Sequence, residues 1–120
     1  MINNIMVCVT QQKTCERLID KGYSLKNDED MLYVVHVVNE NEKLLRNYTD
    51  GEALEYLFGI TKKLGAELVI ERSKNIIDTL VKFADKNDVG KVVLGKSPDG
   101  KSKFEDKLKK KLKDIEMIII

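Results

Sequence analysis

Eight residues, Gly95-Lys96-Ser97-Pro98-Asp99-Gly100-Lys101-Ser102, carry the densest chemistry in this 120-residue chain. Two glycines let the backbone turn its N–H groups toward one point, and two Lys-Ser pairs add ammonium and hydroxyl donors. An apolar run (Val92, Val93, Leu94) precedes them and a Lys-rich amphipathic stretch follows. A strand feeding a glycine loop that opens a helix makes a phosphate cradle, because loop N–H groups and the positive helix end converge there. The spacing also satisfies GxxxxGK[ST], the pattern of nucleoside-triphosphate loops. Hydrolysis is nevertheless not expected. Phosphoryl transfer needs a carboxylate at the end of a neighbouring strand to hold Mg²⁺, and the apolar run Met117–Ile120 has none at its end. The loop is read as able to hold phosphate without cleaving it.

Other reactive residues are sparse. His36 is the single histidine. Apolar residues flank it on both sides, so a hydrogen-bonded core histidine is expected rather than a ligand or base, and no second histidine supports metal chemistry. No nucleophile sits beside a plausible base, so no catalytic residue and no metal site is expected. Cys8 falls on an apolar run and Cys15 on an amphipathic one. They form no CxxC pair, and both are read as buried thiols of a reducing cytoplasm. The lysine run 107–113 reads first as a solvated helix face. A basic helix could also attract an anion, but stacking on nucleic acid wants interleaved aromatics, and only Phe104 is at hand. Neither nucleic acid nor membrane is expected as a partner.

Composition agrees with a compact domain. The chain is 42% hydrophobic and 34% charged, with one Pro and a formal net charge of +1, a mixture typical of globular proteins. No apolar run approaches the ~18 residues of a membrane span. The start, MINNIMVCVT, lacks the basic region and cleavage site of a signal peptide. Residues 1–60 hold 6 Lys/Arg and 10 Asp/Glu, a net of −4, whereas residues 91–120 hold 9 Lys and 5 acids, a net of +4. That asymmetry points to an anionic partner for the C-terminal quarter.

The elements that must position the loop alternate. Residues 3–10 are read as a strand, their apolar run Ile5–Val9 unbroken as in a strand covered on both faces. Residues 13–23 place Cys15, Leu18, Ile19 and Gly22 on one helical face, and 31–38 is a second strand rich in β-branched residues. Thr49-Asp50-Gly51-Glu52 fits a capping box; Leu54, Leu57, Ile60 and Leu64 then repeat at helical spacing until Gly65 stops the helix. Residues 66–70 are the third strand. Ser73 is expected to cap a helix from Lys74 to Lys86 with Ile76, Ile77, Leu80, Val81 and Ala84 as its core stripe. Strand four spans 91–94; Phe104, Leu108 and Leu112 form the seam of the last helix, and Met117–Ile120 a fifth strand. Such alternation implies right-handed βαβ units: one α/β domain over 1–120, three layers, with a doubly wound five-stranded parallel sheet of order 3-2-1-4-5. Ligands of such sheets bind outside the carboxyl ends of the strands, where the order reverses. Here that is between strands 1 and 4, with Thr10–Gln12 facing Gly95–Ser102.

Five segments (IMVCVT, LYVVHVV, EALEYLFGITKKLGAEL, NIIDTLVKFADKNDVGKVVLGKS and FEDKLKKKL) together resemble the universal stress protein (UspA-like) family over nearly the whole chain. More narrowly, VCVT, LGAEL and FEDKL resemble the universal-stress-protein domain of Kdp-type potassium-sensor histidine kinases. The resemblance implies a Rossmann-like fold of the adenine nucleotide alpha hydrolase type. It also implies a non-catalytic cytoplasmic signalling module, usually dimeric, with a sensor histidine kinase or another signalling protein as partner. ATP, AMP and cyclic di-AMP are the ligands it suggests. In the ATP-binding branch an Asp follows strand 1, and here that position is Thr10. The family's glycine pattern is kept at Gly95 and replaced by Pro98 at its second position. Kdp-type domains that bind cyclic di-AMP use Ser-x-Ser after strand 1 and an aromatic-bearing motif on strand 2; Thr10-Gln11-Gln12 and Tyr33 to Val37 stand there.

Two functions follow. In the first, a nucleotide lies at the switch point, its phosphates on Gly95, Lys96, Ser97, Gly100, Lys101 and Ser102 and its base near Thr10, Gln12 and Val37. In the second, the pocket is empty and the domain acts by dimerising through an apolar edge strand, Met117, Ile118, Ile119 and Ile120.

Overall fold

A computed structural model describes residues 4–9, 12–38, 50–95, 103–112 and 114–120. The elements alternate as expected: β1 (Asn4–Cys8), α1 (Gln12–Leu25), β2 (Leu32–Val38), α2 (Asp50–Leu64), β3 (Glu67–Arg72), α3 (Ile76–Lys86), β4 (Val89–Leu94), α4 (Lys103–Lys111) and β5 (Glu116–Ile119). The five strands form one sheet in the order β3-β2-β1-β4-β5, and every pair is parallel. Continuous apolar runs form β1 and most of β4 because both faces of a central parallel strand are covered.

Side-chain alternation sorts the core into two layers. Ile5, Val7, Val9, Leu32, Val34 and Val93 point to one face, where Leu18 and Ile19 of α1 and Leu57 of α2 cover them. Met6, Cys8, Val35, Val37, Val92 and Leu94 point to the other, beneath Leu80 and Ala84 of α3 and Leu108 and Leu112 of α4. Gly22 sets the spacing of the first layer. A Cβ built there would lie 2.5 Å from Val7 Cγ2 and 3.1 Å from Leu32 Cδ1, so only glycine lets α1 settle onto β1 and β2.

Several boundaries differ from the sequence reading, each for a local reason. Regular pairing of β1 ends at Cys8; Val9 still donates to the Val35 carbonyl at 3.1 Å, and Thr10 lies outside the described residues. α1 runs on to Leu25. β3 continues through Glu71 and Arg72, because an edge strand can carry charge toward solvent. β4 starts at Val89 rather than at residue 91. Asn4 pairs with Val89 and Ile5 with Lys91, so Gly90 forms a bulge, the usual meaning of a glycine inside a strand.

The cap of α3 is Asn75 and not Ser73. Asn75 Oδ1 accepts from the Asp78 N–H at 3.1 Å, while the Ser73 hydroxyl accepts from the Asn75 N–H at 3.1 Å and so supports the cap from outside. Leu80 and Ala84 are the fully buried members of the expected stripe, with Ile76, Ile77 and Val81 packed partly buried at its margin. Gly65 ends α2 at φ +67, in the left-handed region that glycine enters without penalty. The proposed capping residue Thr49 lies outside the described residues.

Candidate functional site

β1 lies between β2 and β4. Strand order therefore reverses at β1, and the connection leaving its carboxyl end faces the one leaving β4. Val7 pairs with Val34 on one side and with Val93 on the other, which sets the exits from β1 and β4 almost level. Gly95 follows directly, partly exposed at the rim. Two backbone bonds carry the ladder to this end: the Val9 N–H to the Val35 carbonyl, and the Ile120 N–H to the Leu94 carbonyl at 3.0 Å.

His36 closes the same end from beneath. It is 1% exposed, and its Nδ1 donates to the Val9 carbonyl oxygen. It is the core histidine that its apolar neighbours suggest, with a consequence the sequence did not reveal. The bond ties Val9, the last described residue of the β1 exit, to β2, and at 1% exposure His36 cannot touch a ligand through solvent. A polar residue alternating in phase with the apolar face of β2 was the available signal.

The candidate nucleotide residues divide into two groups. Gly95 and Val37 are described. Val37, one residue before the end of β2, is 5% exposed and packs in the layer under α3. Gln12 opens α1, next to the switch point, and its side chain lies outside the described set. Thr10, Lys96, Ser97, Gly100, Lys101 and Ser102 lie outside the described residues altogether. Cys8, near this end of β1, is buried, and burial pushes its thiol up to about 12. It stays protonated and cannot act as a nucleophile at neutral pH. Among the described residues no cluster of three His, Cys, Asp or Glu side chains could hold a metal ion, and no helix is long and apolar enough to cross a membrane.

The candidate dimer residues Met117–Ile120 are all described. β5 is the sheet edge next to β4. Ile118 and Ile120 pack against the layer under α1 and α2, and Met117 against the layer under α3 and α4. Ile119 alone of the four is a large exposed apolar side chain, 41% accessible. The lysines of α4 behave as a solvated face: Lys107, Lys109, Lys110 and Lys111 are exposed, and Leu108 and Leu112 buried.

No protein-family model matches the chain. Among curated proteins, the sensor protein KdpD of Clostridium acetobutylicum is 23% identical over 95 residues, which is 79% of this chain and 10% of that protein. The chain thus spans about a tenth of the length of the curated relative it matches. Among solved structures, a universal stress protein from Archaeoglobus fulgidus superposes with a TM-score of 0.73 at 23% identity, covering 100% of this chain and 94% of that one. A universal stress protein in complex with cAMP superposes with a TM-score of 0.67 at 14% identity, covering 99% and 96%. The resemblance carried by IMVCVT, LYVVHVV and FEDKL therefore extends to the whole backbone: the chain has the universal-stress-protein fold, and its sequence resembles a stretch of a Kdp-type sensor.

Proposed function

We propose that this domain is a non-catalytic cytoplasmic signalling module that binds an adenine nucleotide at the switch point between β1 and β4. The observation that carries the reading is the reversal of strand order at β1, with Gly95 opening the β4 exit beside it; in open parallel sheets that crevice is where ligands lie. A universal stress protein of the same fold has been solved with cAMP, which makes an adenine ring a chemically reasonable occupant. In this reading phosphates lie along Gly95, Lys96, Ser97, Gly100, Lys101 and Ser102. The base lies against Thr10, Gln12 and the β2 end at Val37, held in register by the His36–Val9 bond. ATP, AMP and cyclic di-AMP are the ligands of choice, and a sensor histidine kinase is the natural recipient of the signal.

A thermal-shift series of the purified chain with ATP, AMP, cAMP, cyclic di-AMP and cyclic di-GMP, with and without Mg²⁺, tests this. A ligand at ~100 times its Kd adds about 2.7 kcal/mol of stability, or roughly 10 °C in Tm for a domain of this size. A shift with one nucleotide, lost in Lys101→Glu, supports the site; no shift with any of them removes it.

One observation favours the second function beside the first. The β5 edge is short, its Met117–Ile120 run is apolar, and Ile119 is exposed on it; an open apolar edge is a template for pairing with another strand. In this reading Met117, Ile118, Ile119 and Ile120 pair with the same strand of a second copy. Sedimentation of wild type and Ile119→Asp checks it: a dimer that the substitution dissociates supports edge pairing, and a wild-type monomer at micromolar concentration rejects it.

A further inference from the structure

β3 is the outer strand of the sheet at the edge opposite β5, and one flank of α2 looks past it. Leu57 of α2 is 0% exposed and rests on the sheet, whereas Leu54 and Phe58 are 40% and 57% exposed; four residues apart, these two share one side of the helix. A groove of about 540 Å³ separates that side from β3. Leu54, Phe58, Thr61 and Lys62 form its α2 wall, and Leu68 and Ile70 its β3 wall. Among the described residues no strand lies beside β3 here. The backbone from Glu67 to Glu71 therefore presents outward N–H and C=O groups with no sheet partner. Alternation sets the two faces of this edge. Leu68 and Ile70 pack with the layer under α1 and α2, and Val69 with the layer under α3. By the two-residue period of a strand, Glu67 and Glu71 fall on the Val69 face, and both are exposed.

We infer that this edge takes an extended segment of another protein as a sixth strand, apolar at the two positions facing α2 and basic at the two positions beside Glu67 and Glu71. An added strand continues the ladder through its backbone, and its alternate side chains enter the flanking groove. Residues opposite each other in neighbouring strands share a face and interact. Those opposite Leu68 and Ile70 meet the wall formed by Leu54 and Phe58. Those opposite Glu67 and Glu71 set a cation beside each carboxylate. Phe58 is the anchor, a large aromatic that the fold leaves mostly in water and that a guest side chain covers. Lys62 belongs to the α2 wall, so it meets the apolar side of the guest and not the basic one. The same carboxylates tell against a second copy. Antiparallel pairing of β3 with itself, centred on Val69, sets Glu67 against Glu71 twice, and like charges directly opposite repel. β2, β1 and β4 separate this edge from β5, and the inference stands whether or not a nucleotide binds.

The probe is an end-blocked, fluorescein-labelled peptide, Thr-Lys-Ile-Val-Ile-Lys-Thr, whose pattern reads the same in both directions and so serves parallel or antiparallel addition. Fluorescence polarisation with the full chain should show saturable binding. Methylating one alternate set of peptide nitrogens should abolish it and methylating the other should spare it, because only one set points at β3. Phe58→Asp should raise Kd about tenfold or more. Glu67→Lys/Glu71→Lys should raise it about threefold or more at low salt and less at high salt, and should instead favour the peptide with glutamates in place of both lysines. All three substituted positions are exposed, and circular dichroism confirms that each variant is folded. Absence of saturable binding overturns the inference. So does binding that survives methylation of either set, which is adhesion to an apolar patch, or binding that Phe58→Asp leaves unchanged. A wild-type dimer that Phe58→Asp dissociates also overturns it, by giving the edge to a second copy.

Discussion

The two ends of the sheet are built differently. At the amino ends, the connections entering β2, β3, β4 and β5 have 6, 2, 2 and 4 residues (26–31, 65–66, 87–88 and 112–115). At the carboxyl ends, the connections leaving β1, β2, β3 and β4 have 3, 11, 3 and 8 residues (9–11, 39–49, 73–75 and 95–102). The amino end is also stitched by side chains. Asn4, 7% exposed, donates through Nδ2 to the Asn87 carbonyl at 2.7 Å and accepts the Met31 N–H on Oδ1 at 2.9 Å. One amide thereby fixes where β1, β2 and β4 begin. The carboxyl end is held through β1 by His36 and then opens into its long connections. One end is stitched by short connections and a buried amide, and the other carries the two longest connections of the sheet.

If that division is right, substitutions at the amino end lower stability without changing ligand preference. Asn4→Ala leaves the part-buried Met31 N–H and Asn87 carbonyl without this partner, at up to about 1–3 kcal/mol each. It should lower Tm by roughly 10 °C or more, while nucleotide affinity measured well below Tm stays as in wild type. Gly22→Ala gains helix propensity but drives a methyl into Val7. The overpacking of about 1–3 kcal/mol should exceed the gain of about 1 kcal/mol, giving a smaller net loss in urea melts.

His36→Leu tests the other end. Leaving the Val9 carbonyl short of its partner costs about 1–3 kcal/mol. Here the Kd for nucleotide should also rise, because the β1 exit is no longer tied to β2; stability loss with unchanged Kd would erase the contrast between the ends.

The remaining two effects depend on pH and are small at neutrality. Cys8 titrates in the unfolded chain near its ordinary value of 9.0, and in the folded chain only at about 12. The native state therefore binds more protons across that window, and its stability falls as pH rises above about 9; Cys8→Ala should flatten part of that slope. At Asp78 the hydrogen bond and charge of Lys111, with help from Lys82, hold the carboxyl below its ordinary 3.8. Its contribution is present above that value and is lost as pH falls through the lowered one. The pair is exposed, so Asp78→Asn should change stability least of the series.

The fold was legible because period and punctuation agreed. Buried parallel strands read as unbroken apolar runs, and Gly65 stopped α2 where the left-handed residue is found. What escaped depended on contacts between distant parts of the chain. Gly90 reads as the residue before a strand that starts at 91, and it becomes a bulge only where Val89 pairs with Asn4. Ser73 and Asn75 are both good caps, and their mutual hydrogen bond decides which one serves. At the carboxyl ends, the strand order placed the β1 and β4 exits side by side, but the bond that His36 makes reaches a carbonyl 27 residues earlier. The charge asymmetry along the sequence was visible too, whereas the groove between α2 and β3 appears only when residues 54–62 and 66–70 lie side by side.

The bond from Asn4 to Asn87 spans 83 residues, and it has a consequence for the order of assembly. A chain emerging from a ribosome completes β1, β2 and β3 early and can pair them. The other side of β1 stays bare until β4 has been made. During that interval β1, a strand buried along its whole length in the finished fold, presents a row of unpaired amides, the kind of edge on which chains aggregate. A fragment stopping at Asp88 would keep that edge open permanently, so a truncation that removes β4 should yield inclusion bodies instead of a smaller soluble domain.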